Sequence, residues 1–128
     1  MHALCTYCSE RKSETPGRVP AIDRYLAERI HKVCEVARLL RMDFYILSGE
    51  YGLIPPAQPI PWYDHLLQSD EVGQLAERMA GQIRQYGVEG IIYLTNSMSE
   101  DGRLLPYRDA TWPPAVWLHV RAWLSRCD

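Results

Sequence analysis

Long apolar runs are missing from this 128-residue chain. None approaches the roughly 18 residues that a membrane span requires, so no contact with a bilayer is expected. The opening stretch MHALCTYCSERK turns polar too soon to carry the apolar core of a signal peptide. An excess of one charge is missing too. Lys and Arg number 14 and Asp and Glu 16, a formal net charge of −2, which lacks the basic footprint of a protein that coats duplex nucleic acid. Cysteine is sparse: four residues, at positions 5, 8, 34 and 127, are not the dense set of a secreted disulfide scaffold. Together these absences place the expected protein in the cytoplasm.

What is present is the composition of an ordinary globule, 47% hydrophobic and 23% charged, which excludes a disordered or fibrous chain. The length suits one domain over residues 1–128 that buries its own core. HALCTYC and DFYILSG are short apolar runs ended by polar or glycine residues, the pattern of buried strands, and VEGIIYLTN supplies a third. Between the first two, Ile22, Leu26, Ile30, Val33, Ala37 and Leu40 recur at helical spacing. This predicts a helix over about 21–41, with Arg24, Glu28, Lys32, Glu35 and Arg38 mostly on its polar side. Val72, Leu75, Met79, Ile83 and Tyr86 predict a second helix capped by Gly87. Val116, Trp117, Val120, Trp123 and Leu124 predict a short closing helix, with Pro113 and Pro114 tolerated in its first turn. The alternation argues for an α/β fold, a mainly parallel sheet with helices packed on it in Rossmann-like layers, because parallel neighbours need long crossovers.

Ligands of open parallel sheets sit beyond the carboxyl ends of the strands. The loops expected there bring Ser9, Lys12, Ser48, Glu50, Tyr51, Tyr63, Asp64, His65, Asn96 and Ser97 toward one rim. The middle loop, SGEYGLIPPAQPIPWYDH, is the richest. Gly49 and Gly52 frame Glu50 and Tyr51 and permit close backbone approaches. Prolines 55, 56, 59 and 61 stiffen the second half of this loop, so that Trp62 and Tyr63 can form a stacking wall beside Asp64 and His65.

Glu50 and Asp64 are the candidate catalytic groups, as two carboxylates can orient water or stabilise a ribosyl cation. The plainer role for each is a solvated loop residue or helix cap. Tyr51 and Tyr63 can stack a base or donate to a phosphate, or simply pack the proline-rich loop. Ser9 and Lys12 can meet an anion, but their loop lacks the full glycine-rich triphosphate pattern. Cys5 and Cys8 have redox-motif spacing without the helix that should come directly after it, and no second ligand pair is close enough in sequence for zinc. No metal or cofactor is therefore expected. Arg103, Tyr107 and Arg108 interleave charge with an aromatic ring, as single-strand binders do and as surface loops often do. Trp112, Trp117 and Trp123 are expected to anchor the core or an interface, which leaves a homodimer open.

The stretch LSGEYGLIPPAQPIPWY resembles the signature of the YaaA peroxide-stress family, a strand ending in Ser-Gly-x-Tyr-Gly-x-Leu-x-Pro and leading to a further Tyr. The chain is also similar to smaller, uncharacterised relatives of that family through Cys8-Ser9-x-x-Lys12, through Ala21 and Tyr25, and through Tyr63-Asp64-x-x-Leu67. The resemblance implies a compact α/β domain concerned with DNA or nucleobases, of a kind found beside base-modifying enzymes. Gln58 and Asp64 replace an Asp and an Arg of the YaaA pattern, so duplex binding is not carried over, whereas a pocket built from Ser48, Tyr51 and Tyr63 is. The expected function is nucleotide or nucleobase handling, with chemistry at an N-glycosidic bond as the enzymatic form. A non-catalytic module for single-stranded nucleic acid or a protein, and a deoxyribosyltransferase-like enzyme, are the alternatives.

Overall fold

The computed structural model describes residues 2–95, 106, 107 and 110 and the backbone of 115–119. Three runs of apolar residues form the centre of a five-stranded sheet: β1 (His2–Tyr7), β3 (Asp43–Ser48) and β6 (Gly90–Thr95). β1 lies between the other two and is parallel to both, with Cys5 beside Tyr45 on one side and Tyr93 on the other. β7 (Ala115–His119) extends the parallel set beyond β6, and β4 (Gly52–Ile54) closes the opposite edge antiparallel to β3. The order β4-β3-β1-β6-β7 makes a mixed α/β fold whose sheet is mostly parallel.

Side-chain alternation sends neighbouring residues to opposite faces. Leu4, Phe44, Ile46, Ile54 and Leu94 pack with Ile30, Val33 and Ala37 of α2 (Glu28–Leu39). Ala3, Cys5, Tyr45, Leu47, Leu53, Ile91 and Tyr93 pack with Leu75 and Met79 of α3 (Val72–Tyr86). Both faces are therefore covered, which is why the central strands read as continuous apolar runs. α3 ends where glycine predicts. Gly87 has φ +68° and donates its N–H to Arg84 O, while Val88 donates to Ile83 O at 3.1 Å, a Schellman closure.

The chain leaves β1 toward the α2 face, and after β6 Tyr107 and Ala110 join the α3 face. The described residues that follow β1 and β6 thus pack on opposite faces, the arrangement at which such sheets open a crevice.

The structure corrects three expectations. The helix foreseen over 21–41 is broken: α1 (Ala21–Arg24) stops at Tyr25, whose backbone is extended, and α2 starts at Glu28. Main-chain groups that a helix would need are bonded across to the first loop, Ser13 N–H to Arg24 O at 2.7 Å and Leu26 N–H to Arg11 O at 3.1 Å. Tertiary pairing overrides local periodicity here, and Arg24, expected on the solvent side, is wholly buried. The closing helix is replaced over Ala115–His119 by strand β7, because a short apolar run carries no period that separates helix from strand. The glycine- and proline-rich connection is not wholly irregular either: it holds β4 and β5 (Pro59–Ile60), which pairs antiparallel with β2 (Val19–Pro20). Asn96, Ser97, Arg103, Arg108, Trp112, Val120, Trp123 and Leu124 lie outside the described residues.

Candidate functional site

Ser48 ends β3 and is wholly buried. Its Oγ accepts the N–H groups of Glu50 and Tyr51, each at 3.1 Å, and so shapes the turn into β4. α3 holds the far side of the same turn. Gln82 Nε2 donates to Tyr51 O and Leu53 O at 3.0 and 3.2 Å, its Oε1 accepts Leu53 N–H at 2.8 Å, and Arg78 Nη1 donates to Glu50 O at 2.6 Å. Gly49 is required by a close approach: a Cβ there would stand 3.1 Å from Leu67 Cβ and 3.4 Å from the Tyr107 hydroxyl.

The proline-rich loop returns Tyr63 onto this turn. Its hydroxyl lies 2.8 Å from Ser48 Oγ and is hydrogen-bonded to the Tyr25 hydroxyl. The Tyr51 and Tyr25 rings meet Tyr63 edge-on, with centroids 5.2 and 6.3 Å away. Lys12 Nζ sits over the Tyr63 ring, 4.7 Å from its centroid. Burial, and then the nearby Cys8 thiol, push the ionisation of Tyr25 and Tyr63 well up, so both phenols are neutral donors at physiological pH. Cys8 packs against both apolar clusters just beyond the carboxyl end of the central strand β1, and its thiol donates to the Tyr107 hydroxyl at 3.8 Å.

Two buried arginines tie the loops in place. Arg24 donates to Ser13 O, Thr15 O, Gly17 O and Ile60 O at 2.6, 2.9, 2.6 and 3.2 Å, joining the loop after β1 to the proline-rich one. Arg29 donates to Thr6 Oγ1, Tyr7 O and Cys8 O at 2.9, 2.6 and 3.3 Å and lies 3.6 Å from the centroid of the Tyr7 ring. On β6, Tyr93 OH and Thr95 Oγ1 are buried with no hydrogen-bond partner among the described residues.

A second polar cluster lies outside the hydroxyl group. His65 Nδ1 is 2.6 Å from Glu50 Oε2 and Nε2 is 2.8 Å from Glu71 Oε2. A carboxylate at each ring nitrogen requires both to carry hydrogen, so His65 is an imidazolium. Glu71, and then Glu50, raise its pKa above the usual 6.5. The same contact lowers the carboxyl pKa of Glu71, whose Oε1 also accepts Gln68 N–H at 2.9 Å. The raised His65 pKa gives stability that is complete below about pH 6.5 and fades as pH rises through the folded value; the Glu71 part fades on acidification below about pH 4.5. The urea midpoint is therefore expected to fall between pH 6 and 9, and less steeply in His65→Gln. Parallel pH profiles for the two proteins would remove this coupling.

The structure brings Ser48, Gly49, Tyr51, Gly52, Tyr63 and Lys12 into one neighbourhood and sets Glu50 and His65 at its outer edge. Ser9 is mostly buried, and its hydroxyl hydrogen goes to Arg11 O at 2.7 Å, so it shapes its loop. Trp62 is 54% exposed and stands on the surface rather than walling the tyrosines. Asp64 is exposed and takes no part in the hydrogen bonds around Tyr63 and His65. Sequence reasoning met Tyr25 only within the family resemblance and gave no site role to Arg24, Arg29, Glu71 and Gln82. For Tyr25 and Glu71 a signal existed, the Ala21-x-x-x-Tyr25 spacing and the Gln68-x-x-Glu71 capping box. Among the described residues no group of three His, Cys, Asp or Glu could hold a metal ion, and no helix is long and apolar enough to cross a membrane.

No protein-family model, curated protein or solved structure matches the chain.

Proposed function

We propose that this edge of the sheet is the binding site of a cytoplasmic, Rossmann-like domain that handles nucleotides or nucleobases, related to the YaaA family. The observation that carries the reading is the cluster of Ser48, Tyr63 and Tyr25 hydroxyls under the Lys12 ammonium. The neutral Tyr63 phenol supplies a donor for a carbonyl or phosphate oxygen, and Tyr63 and Tyr51 supply ring edges and faces for a base. In the enzymatic form Glu50 is the charged participant at an N-glycosidic bond. His65 fixes one of its oxygens and leaves the other for the ligand side. Asp64, the other carboxylate of the pair, is exposed and makes none of these bonds.

Thermal-shift screening with nucleosides, nucleotides and short single strands tests the reading. A ligand at 100 times its dissociation constant is expected to stabilise the protein by about 2.7 kcal/mol. With that ligand, Glu50→Gln is expected to bind while losing turnover. If no compound shifts the wild type, the nucleotide reading fails. The exposed Trp62 favours one alternative, a non-catalytic single-strand module in which the indole stacks a base. That form predicts salt-dependent binding that Trp62→Ala weakens and Glu50→Gln leaves alone.

A further inference from the structure

The hydrogens of the hydroxyl cluster can be assigned from burial. Ser48, Tyr63 and Tyr25 carry three hydroxyl hydrogens, and the Tyr63 hydroxyl has both of the others within bonding distance. Both acceptor positions of Ser48 Oγ are taken by the amides of Glu50 and Tyr51. Ser48 therefore donates to Tyr63 and has nothing left with which to accept from Tyr25. Tyr25 is 0% exposed and its hydroxyl has those of Tyr63 and Ser48 beside it, of which Ser48, both acceptor positions filled, cannot take its hydrogen. Were its hydrogen directed elsewhere, a buried donor would be left unpaired. Tyr25 therefore donates to Tyr63 as well. The Tyr63 oxygen receives two hydrogen bonds, and its own hydrogen is the surplus one.

Tyr63 is only partly buried, and no described residue accepts that hydrogen. Accepting two bonds strengthens the third as a donor. Beside it, the Lys12 ammonium has Glu10 O at 3.3 Å and the Tyr63 ring face for company, and no carboxylate partner among the described residues. One donor thus lies in the plane of the Tyr63 ring and the other above its face. Tetrahedral oxygens meet two such directions together more readily than a planar carboxylate does.

We propose that Lys12 and the Tyr63 hydroxyl form an oxyanion subsite for the phosphate of a phosphomonoester. Taken with the nucleotide reading above, on which the identity of the rest of the ligand rests, the substrate class is a nucleoside monophosphate rather than a free nucleoside or base. Ser48 and Tyr25 act through Tyr63, as positioning residues that turn its hydrogen outward.

Calorimetric titration of inorganic phosphate, acetate, a nucleoside and its monophosphate into wild type, Tyr63→Phe and Lys12→Met tests the subsite. Tyr63→Phe also strands the Ser48 and Tyr25 hydrogens, so Lys12→Met, which leaves the hydroxyl cluster intact, is the companion variant. The monophosphate is expected to bind wild type about tenfold more tightly than the nucleoside, equivalent to about 1.4 kcal/mol. Both variants are expected to lose that preference, and Lys12→Met to keep the nucleoside affinity. Inorganic phosphate that binds wild type, is lost in both variants and has no nucleoside binding beside it supports the subsite while removing the nucleotide reading. Equal affinity for monophosphate and nucleoside without phosphate binding, a preference that survives in either variant, or acetate binding as tightly as phosphate, each overturns the proposal.

Discussion

Arg24→Met is expected to lower the free energy of unfolding by about 3 kcal/mol, because four main-chain carbonyls lose a charged donor and hydrogen bonds to charged groups are worth about 1.5–3 kcal/mol each. The full sum is not expected. Thr15 and Gly17 are exposed, so their carbonyls can turn to water, and the guanidinium itself is costly to bury: its Nε finds no partner and no carboxylate neutralises it among the described residues. Ile60 and Ser13 are less able to recover, since they lie where the two loops meet. Arg24→Lys is expected to restore less than half of the loss, as one ammonium cannot reproduce a fork that reaches four carbonyls. With a urea dependence near 1.5 kcal/mol per M, the methionine variant should unfold at a denaturant concentration lower by about 2 M, with unchanged slope. A drop under about 1 kcal/mol would mean that the loops hold together without the guanidinium.

Arg24 also marks where the sequence stops being readable. The central strands are visible in the sequence because both of their faces are buried, and α3 is visible because its apolar stripe and Gly87 agree. The stripe of Ile22, Leu26, Ile30 and Val33 is just as regular, yet the structure interrupts it at Tyr25. The cause lies far away in sequence: Tyr25 must reach the hydroxyl of Tyr63, and the backbone around it pairs with residues 11–13. Periodicity scores local burial and has no means of registering that contact. The same limit placed Arg24 on the polar side. β4 escaped notice because three residues that begin with a glycine carry little pattern, although Leu53 and Ile54 are buried on opposite faces.

The candidate site was legible by composition more than by geometry. Glycine, serine and tyrosine clustered at the end of β3 and just after it do converge, while the two candidate carboxylates differ in their partners. Glu50 turns to His65, and Asp64 turns to solvent. A histidine two residues after Tyr63 is a poor predictor of its partners, since Glu50 and Glu71 reach it from either side of the loop. The consequence is a division of labour: the buried hydroxyls gather on the Tyr63 ring that Lys12 covers, and an imidazolium held between carboxylates fastens the loop that carries Tyr63.

Gly52→Ala is expected to destabilise the protein by about 3 kcal/mol through two effects that a double-mutant cycle can separate. Gly52 has φ +75°, and an alanine in the left-handed region costs about 1–2 kcal/mol. Its Cβ would also stand 2.4 Å from Gln82 Oε1. A free glutamine would swing aside at little cost, but this one makes three hydrogen bonds to Tyr51 and Leu53 and holds β4 to α3. Displacing it gives up those bonds, at about 0.5–1.5 kcal/mol each. Gln82→Ala alone is expected to cost about 2 kcal/mol for the same bonds, so the double variant should lose less than the sum of the singles by about 1–2 kcal/mol. Additivity within about 0.5 kcal/mol would show that the methyl group finds room without moving Gln82, and that only the backbone angle demands glycine. Chemical denaturation of the four proteins decides between these outcomes. The hydrogen exchange of Leu53 N–H, which is bonded to Gln82, should quicken in both single variants only if the side chain has been displaced.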